Sequence, residues 1–356
     1  MSSIYTDTLC MKRKWIRWVS WILLTPIILF VILMVLLYIP PVQNLLRREV
    51  TAYASEATGM QIQVERIDLR FPLNLLVRGV EVIQQPDTLL SLESLNVRVQ
   101  AWPLVKGKVE VDEVTLSQVA FNSANLIEGM KIKGGLGRFF LQSHGVDLSN
   151  ELAVINQTEL SDTHVQMLMN DTTTTPKDTT ASAPVNWKVD LHKLKLKNVS
   201  FSMQLPADSM RMAAHIGEAF INDAQADLKN QFYELKQFLL SGSSANYDTG
   251  AAKPGEGFDA SHIAVRDIRI GLDSLLYKGR DMNAVIRELS MNERSGLSIT
   301  SLTGRAFSND SIIRIPGIKL QTPHSEIDLS AQTYWELVNI PTTGRLSAGL
   351  NAYIGK

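Results

Sequence analysis

The feature that most constrains this chain is an alternation. Between Leu75 and Val99 the sequence reads LLVRGVEVIQQPDTLLSLESLNVRV, with Leu75, Val77, Val80 and Val82 before Pro86-Asp87 and Leu90, Leu92, Leu95, Val97 and Val99 after it. Apolar residues at every second position make a strand with one apolar face, and the Pro-Asp step is a turn. The same writing runs on either side, as Ile62/Val64, Ile67/Leu69, Val109/Val111, Val114/Leu116 and Val119/Phe121. The spacing predicts a mainly β chain: an elongated, strongly twisted antiparallel sheet over 61–356, with one polar and one apolar face.

The alternation slips by one residue in places, as between Val77 and Val80 across Arg78-Gly79. An unabsorbed slip would swap the faces of the strand. A β-bulge is the expected remedy, and Gly79 suits one because glycine reaches positive φ without steric cost. The pattern also repeats loosely. VDEVTLSQVAF from Val111 and LHKLKLKNVSF from Leu191 align Val114 with Leu194, Leu116 with Leu196, Val119 with Val199 and Phe121 with Phe201, and VRDIRI at Ile268 and Ile270 extends the series. Such an array predicts an extended architecture rather than a closed globule. Two stretches read as loops: Asn170 to Asn186, expected to be a disordered excursion, and the Gly/Ser-rich Ser241 to Gly257.

Ahead of the strands, Val19 to Ile39 carries no charge. As a helix it would rise about 31 Å, which matches a hydrocarbon core. It is longer than the apolar region of a signal peptide and ends in Tyr38-Ile39-Pro40-Pro41 without a small-residue cleavage site, so it is expected to stay as a transmembrane anchor. Lys12, Arg13, Lys14 and Arg17 precede it, which places residues 1–18 in the cytoplasm and everything beyond Pro40 outside. Met11 reads as a natural start, and the ten residues before it as an upstream extension. A short helix is expected over 40–60, with Pro40-Pro41 at its start and Gly59 just past its end. Its apolar residues Val42, Leu45, Leu46, Val50, Tyr53, Ala54 and Ala57 fall at helical spacing. They suit either a membrane surface or the end of a sheet.

Charge excludes one class of partner. The 35 basic and 36 acidic residues nearly cancel, and with four basic groups ahead of the anchor the exterior is mildly acidic. Nucleic-acid binding needs clustered Lys and Arg and is not expected. The chain has 1 cysteine, Cys10, so the exterior has no disulfide or thiolate chemistry. The six histidines (His144, His164, His192, His215, His262, His324) are scattered without metal-ligand spacing. GMKIKGGLG from Gly129 lacks the Lys-Ser/Thr ending of a phosphate loop and reads as a turn, and no G-x-S-x-G is present. Neighbouring carboxylates such as Asp112-Glu113 point to opposite faces of a strand. No catalytic residues, no metal and no cofactor are expected, and the chain is not expected to be an enzyme.

The order of these segments carries a resemblance. The anchor, the Pro-Pro helix, ATGMQIQVERIDLRF with Thr58-Gly59, LLVRGVEV with Gly79-Val80, TLLSLESLNVRV beginning at Thr88-Leu89-Leu90, and LVKGKVEVDEVTL with Gly107 resemble the N-terminal region of the AsmA/TamB-like family over roughly residues 12 to 125. The resemblance implies a membrane-anchored protein of the Gram-negative envelope whose sheet folds along its length into an open apolar groove for phospholipid acyl chains. It implies a role in lipid transport and outer-membrane biogenesis. The alternation supports that use independently. Each buried CH₂ is worth about 0.8 kcal/mol, so a 16-carbon chain gains on the order of 10 kcal/mol along an apolar face. The residues expected to line the groove are Val77, Val80, Val82, Leu95, Val97, Val99, Val109, Val111, Val114 and Leu116. The alternative is an envelope assembly or secretion scaffold that pairs, without carrying lipid, with an outer-membrane Omp85-type barrel through strand edges. A barrel-engaging C-terminal domain such as TamB carries is not expected from the closing residues LNAYIGK.

Overall fold

The computed structural model describes residues 39–70, 73–100, 103, 110–147, 150–169, 186–250, 253–335 and 346–354. The expected cytoplasmic segment, the expected anchor up to residue 38, Val109 and the expected excursion at 170–185 lie outside the described residues. Among those described, no helix is long and apolar enough to cross a membrane.

The described chain opens with helix α1 (Pro40–Thr58), which has proline in its first turn and ends at Gly59, φ 67°. Proline's fixed φ suits a helix start, and its missing N–H costs nothing there. The left-handed residue that ends the helix is most cheaply a glycine. This matches the expected helix over 40–60.

All the rest is one 16-stranded sheet. Its members are β1 (Gln61–Arg70), β2 (Asn74–Gln84), β3 (Asp87–Val99), β4 (Val111–Asn122), β5 (Met130–Asp147), β6 (Leu152–Met169), β7 (Lys188–Leu205) and β8 (Met210–Asp227). They continue as β9 (Phe232–Asp248), β10 (His262–Lys278), β11 (Asp281–Glu293), β12 (Ser298–Ile299), β13 (Ser301–Ser308), β14 (Ile312–Gln321), β15 (Ser325–Tyr334) and β16 (Leu346–Ile354). Strands neighbour one another in chain order, with the short β12 set beside β11. The chain is therefore mainly β and mostly antiparallel, as the alternation predicts.

One pair departs from the expectation. β6 and β7 are parallel, with Leu160 opposite Leu196 and Met167 opposite Met203. A parallel neighbour needs a connection that returns the length of the strand, a dozen residues or more. β6 has 18 residues, about 60 Å at ~3.3 Å each.

Part of the expected loop at 241–257 and nearly all of the expected turn at 129–137 are strand, while 249–250 and 253–257 are loop as expected. Residues 241–248 belong to β9, and 130–137 belong to β5. The glycines there sit where strands approach closely: a Cβ on Gly134 would strike His164 O, and one on Gly137 would lie 2.7 Å from Asp162 Cβ.

Every strand makes its substantial contacts with its sheet neighbours, and α1 with β1. Among the described residues no second layer covers either face, and the buried apolar side chains are Leu89, Leu92, Ala153 and Ala219. A globular domain of this size would bury its apolar face against another element; here that face is left to itself.

Candidate functional site: a creased apolar face

Residues opposite one another on neighbouring strands share a face, so the register assigns side chains to rows that cross the sheet. One row runs from β1 to β16: Leu69, Leu75, Val97, Val114, Leu141, Thr158, Leu194, Ile221, Phe238, Leu272, Ile286, Gly304, Ile318, Leu329 and Leu350. Only Thr158 and Gly304 interrupt its large apolar side chains. At ~4.8 Å per strand the row is about 65 Å long. A second row passes from Ile67 through Val77, Leu95, Leu116, Phe139, Leu160, Leu196, Ala219, Leu240 and Ile270 to Leu289.

Beyond the second row the alternation slips, and the slips coincide. Gly79, Gln118, Asp162, Asn198, Gly242 and Asp267 have φ of 57, 49, 51, 52, 60 and 55°. They lie side by side between the Val77–Leu116–Leu196 row and a third row of Val64, Val80, Leu92, Val119, Leu136, Thr163, Val199 and Ile216. At this line two successive residues point to the exposed face, as Glu65-Arg66, Lys197-Asn198 and Arg266-Asp267 do. The apolar rows on both sides thereby stay on one face. The expected bulge at Gly79 is absent: the register of β1 on β2 is unbroken from Val64–Val80 to Ile67–Val77. From β1 to β9 the strands change phase together along a crease and keep register there, whereas β10 shifts register at Asp267 against both β9 and β11.

Sterics explain the residues found on the crease. A Cβ on Gly79 would lie 2.7 Å from Glu65 Cβ, and one on Gly217 would lie 2.6 Å from Gly242 O. Where the left-handed residue is not glycine it is mostly Asn or Asp, the types that tolerate that region best. Asn198 Nδ2 donates to Asp162 Oδ1 at 2.7 Å, and Asn292 Nδ2 donates to Asp267 Oδ2 at 3.2 Å, which ties the crease laterally.

A second crease crosses β7 to β10 between the Leu194–Ile221–Phe238 row and a row of Leu191, Ala224, Leu235 and Leu275. Asp223, φ 48°, marks it. Its carboxylate lies 3.2 Å from His192 Nδ1 and 3.7 Å from Lys236 Nζ. The His192 hydrogen bond foremost, and then the Lys236 charge, hold Asp223 below the ordinary carboxylate range. Polar residues therefore bridge both creases on the exposed face.

The sequence-predicted residues can now be placed. Val77, Leu95 and Leu116 are neighbours in one row, and Val97 and Val114 in the next. Val80 lies in the third row across the crease, Val82 pairs with Ile62 and Leu90 beyond it, and Val99 pairs with Val111. The structure brings all of these to one face; Val109 is outside the described residues. Sequence reasoning stopped too early along the chain, since the rows continue through Leu160, Leu196, Phe238 and Leu272. It also missed a methionine margin. Met167, Met203 and Met212 are directly opposed on β6, β7 and β8, with Ile132, Tyr247 and Ile263 completing their row. A depression of about 180 Å³ lined by Phe201, Met212, Ala214, Tyr247 and Val265 adjoins it. Three methionines within ten residues, at 203, 210 and 212, were the available signal.

The repeat is sharper than its spelling. Val114/Leu194, Leu116/Leu196, Val119/Val199 and Phe121/Phe201 each occupy the same row, and Gln118 and Asn198 are both crease residues. VRDIRI does not extend it. Ile270 shares a row with Leu196, but Ile268 pairs with Ser243 across the crease from Leu194, because β10 runs opposite to β7.

Among the described residues no three His, Cys, Asp or Glu side chains converge as a metal site. The polar cluster nearest to one is Asp259, which accepts from Ser261 N at 2.9 Å, Gly255 N at 3.2 Å and the His262 ring at 2.8 Å. These bonds fasten the loop before β10. No protein-family profile matches the chain, and no curated protein is significantly similar to it.

Proposed function

We propose that the protein binds hydrocarbon chains, chiefly phospholipid acyl chains, on its creased apolar face and passes them along the sheet between envelope membranes. The observation that carries this reading is the row from Leu69 to Leu350, apolar but for Thr158 and Gly304 and covered by no second layer among the described residues. Most of its side chains are nevertheless only half-exposed, as expected of a sheet bent over its own apolar face into an open groove. The paired outward residues at each crease put the polar face on the outside of the bend.

The chemistry suits a sliding ligand. Contacts between apolar side chains and methylenes are non-directional, so displacement by one strand exchanges equivalent contacts. Methionine adapts its shape to irregular partners, and Met167, Met203 and Met212 place it along one margin. In this reading Val19–Ile39 anchors the chain in the inner membrane, the exterior is periplasmic and the chain is an AsmA/TamB-like protein. The scaffold alternative needs a free sheet edge; at the β1 edge α1 side chains already bond to the backbone carbonyls of Val64, Glu65 and Leu69, which leaves β16, the other edge strand, as the place where it would act.

The test is mass spectrometry of the exterior chain purified without detergent. Stoichiometric phospholipid supports the proposal. A lipid-free chain that captures an outer-membrane Omp85-type barrel would favour the scaffold.

A further inference from the structure

Helix α1 meets the sheet with its polar side. Gln43 Nε2 donates to Leu69 O at 3.1 Å, and Arg47 Nη1 donates to Val64 O and Glu65 O at 3.1 Å each. Ser55 Oγ accepts from Ile62 N, also at 3.1 Å. Residues four apart stack on one face of a helix, so Gln43, Arg47 and Thr51 form the stripe against β1.

Three large apolar side chains point elsewhere. Leu45, Val50 and Tyr53 are 58, 51 and 75% exposed. At 100° per residue they fall within one sector of about 140°, with Tyr53 near its middle. Glu49 and Glu56 lie toward its Leu45 side, so the sector is most apolar around Val50 and Tyr53. A helix on a globular protein turns its apolar stripe to the core; α1 does the reverse. Its first residue, Pro40, directly follows the uncharged run Val19–Ile39.

We infer that α1 lies in the headgroup–acyl boundary of a bilayer, with Val50, Tyr53 and Leu45 in lipid and the sheet hung from its polar stripe. The inference rests on the reading of Val19–Ile39 as an anchor, which delivers α1 to the membrane surface. Interfacial helices bury their apolar side to a depth of about 5–10 Å, and tyrosine is favoured at that level. The consequence is directional. β1 then sits about one helix diameter, ~10 Å, from the bilayer, and the rows that start at Ile67 and Leu69 start beside lipid.

The experiment uses the full chain carrying Cys10→Ser, reconstituted in phosphatidylethanolamine–phosphatidylglycerol vesicles. Single cysteines at Val50, Tyr53, Asn44 and Arg48 are labelled with an environment-sensitive fluorophore. Lipids bearing a shallow spin label should quench the probes at 50 and 53 at least threefold more than those at 44 and 48, with iodide giving the opposite order. Four probes equally open to iodide and untouched by the lipid quencher would overturn the inference. Quenching is read before an alkaline wash. Release of the chain by the wash would remove the anchor reading alone, while the quenching pattern decides the position of α1.

Discussion

Replacing Gly217 by alanine tests whether the crease is held by close backbone approach. The added Cβ would lie 2.6 Å from Gly242 O, 2.9 Å from Ser241 O and 3.0 Å from Gly242 C, all main-chain atoms of β9. These atoms are fixed by the flanking pairs His215–Ser244 and Glu218–Ser241, so relief needs strand separation by about half an ångström or more. Overpacking of this kind costs about 1–3 kcal/mol. Against it stands the lower chain entropy of unfolded alanine, worth about 0.4–1 kcal/mol. The expected net loss is about 1–2 kcal/mol. Gly317→Ala is the control, because its Cβ would meet only Asp328 Oδ1, at 4.0 Å, leaving the gain alone. Urea denaturation followed by circular dichroism should move the midpoint down for Gly217→Ala and up for Gly317→Ala. A Gly217→Ala chain as stable as the parent would refute the account of the crease.

Other outcomes follow from the same geometry. Asn198→Val should lose about 1–2 kcal/mol through its left-handed backbone and its bond to Asp162, while Asn198→Gly should cost little; hydrogen exchange in β6 and β7 reads the difference. Leu196→Asp places a charge on the apolar face, against hydrocarbon by the proposed function, at a cost of several kcal/mol unless it is protonated. It should sharply reduce co-purified lipid, with Lys197→Asp nearly silent. Ser261 and Gly255 N–H groups, followed by His262, hold Asp259 below its ordinary value of 3.8. A lowered folded-state pKa stabilises above the unfolded value and is lost as pH falls through the folded one. The Ser261 amide resonance should therefore shift with a midpoint below 3.8; a midpoint at or above that value would contradict the bonding described.

The strands were legible because one face is apolar and the other solvated, which writes period two into the sequence. The single-residue slips were legible too, since Val77/Val80 and Leu116/Val119 show them directly. Their alignment was not. That Gly79, Gln118, Asp162 and Asn198 stand side by side depends on the register of four strands, and no local pattern encodes register between distant segments. The same limit hid the parallel pairing of β6 and β7. Glycine-rich stretches misled for a different reason: GMKIKGGLG and the start of SGSSANYD resemble loops. Gly137 and Gly242 stand on the crease, and Gly134, where a Cβ would strike His164 O, allows close strand approach. For α1 the spacing of apolar residues identified the helix but not what faced it, because capping the β1 edge called for polar side chains.

The central claim is that the apolar rows carry hydrocarbon and keep one face across the crease. Site-specific photo-crosslinking scanned over residues 75–99 in cells, scored for lipid adducts, tests it most directly. The account predicts adducts at 75, 77, 80, 82, 90, 92, 95, 97 and 99, with silence at 76, 78, 81, 91, 93, 94, 96 and 98. The phase must therefore shift at Gly79 in β2 and at Glu93-Ser94 in β3. Uniform labelling, no labelling, or strict alternation that runs through both points without a shift would contradict it.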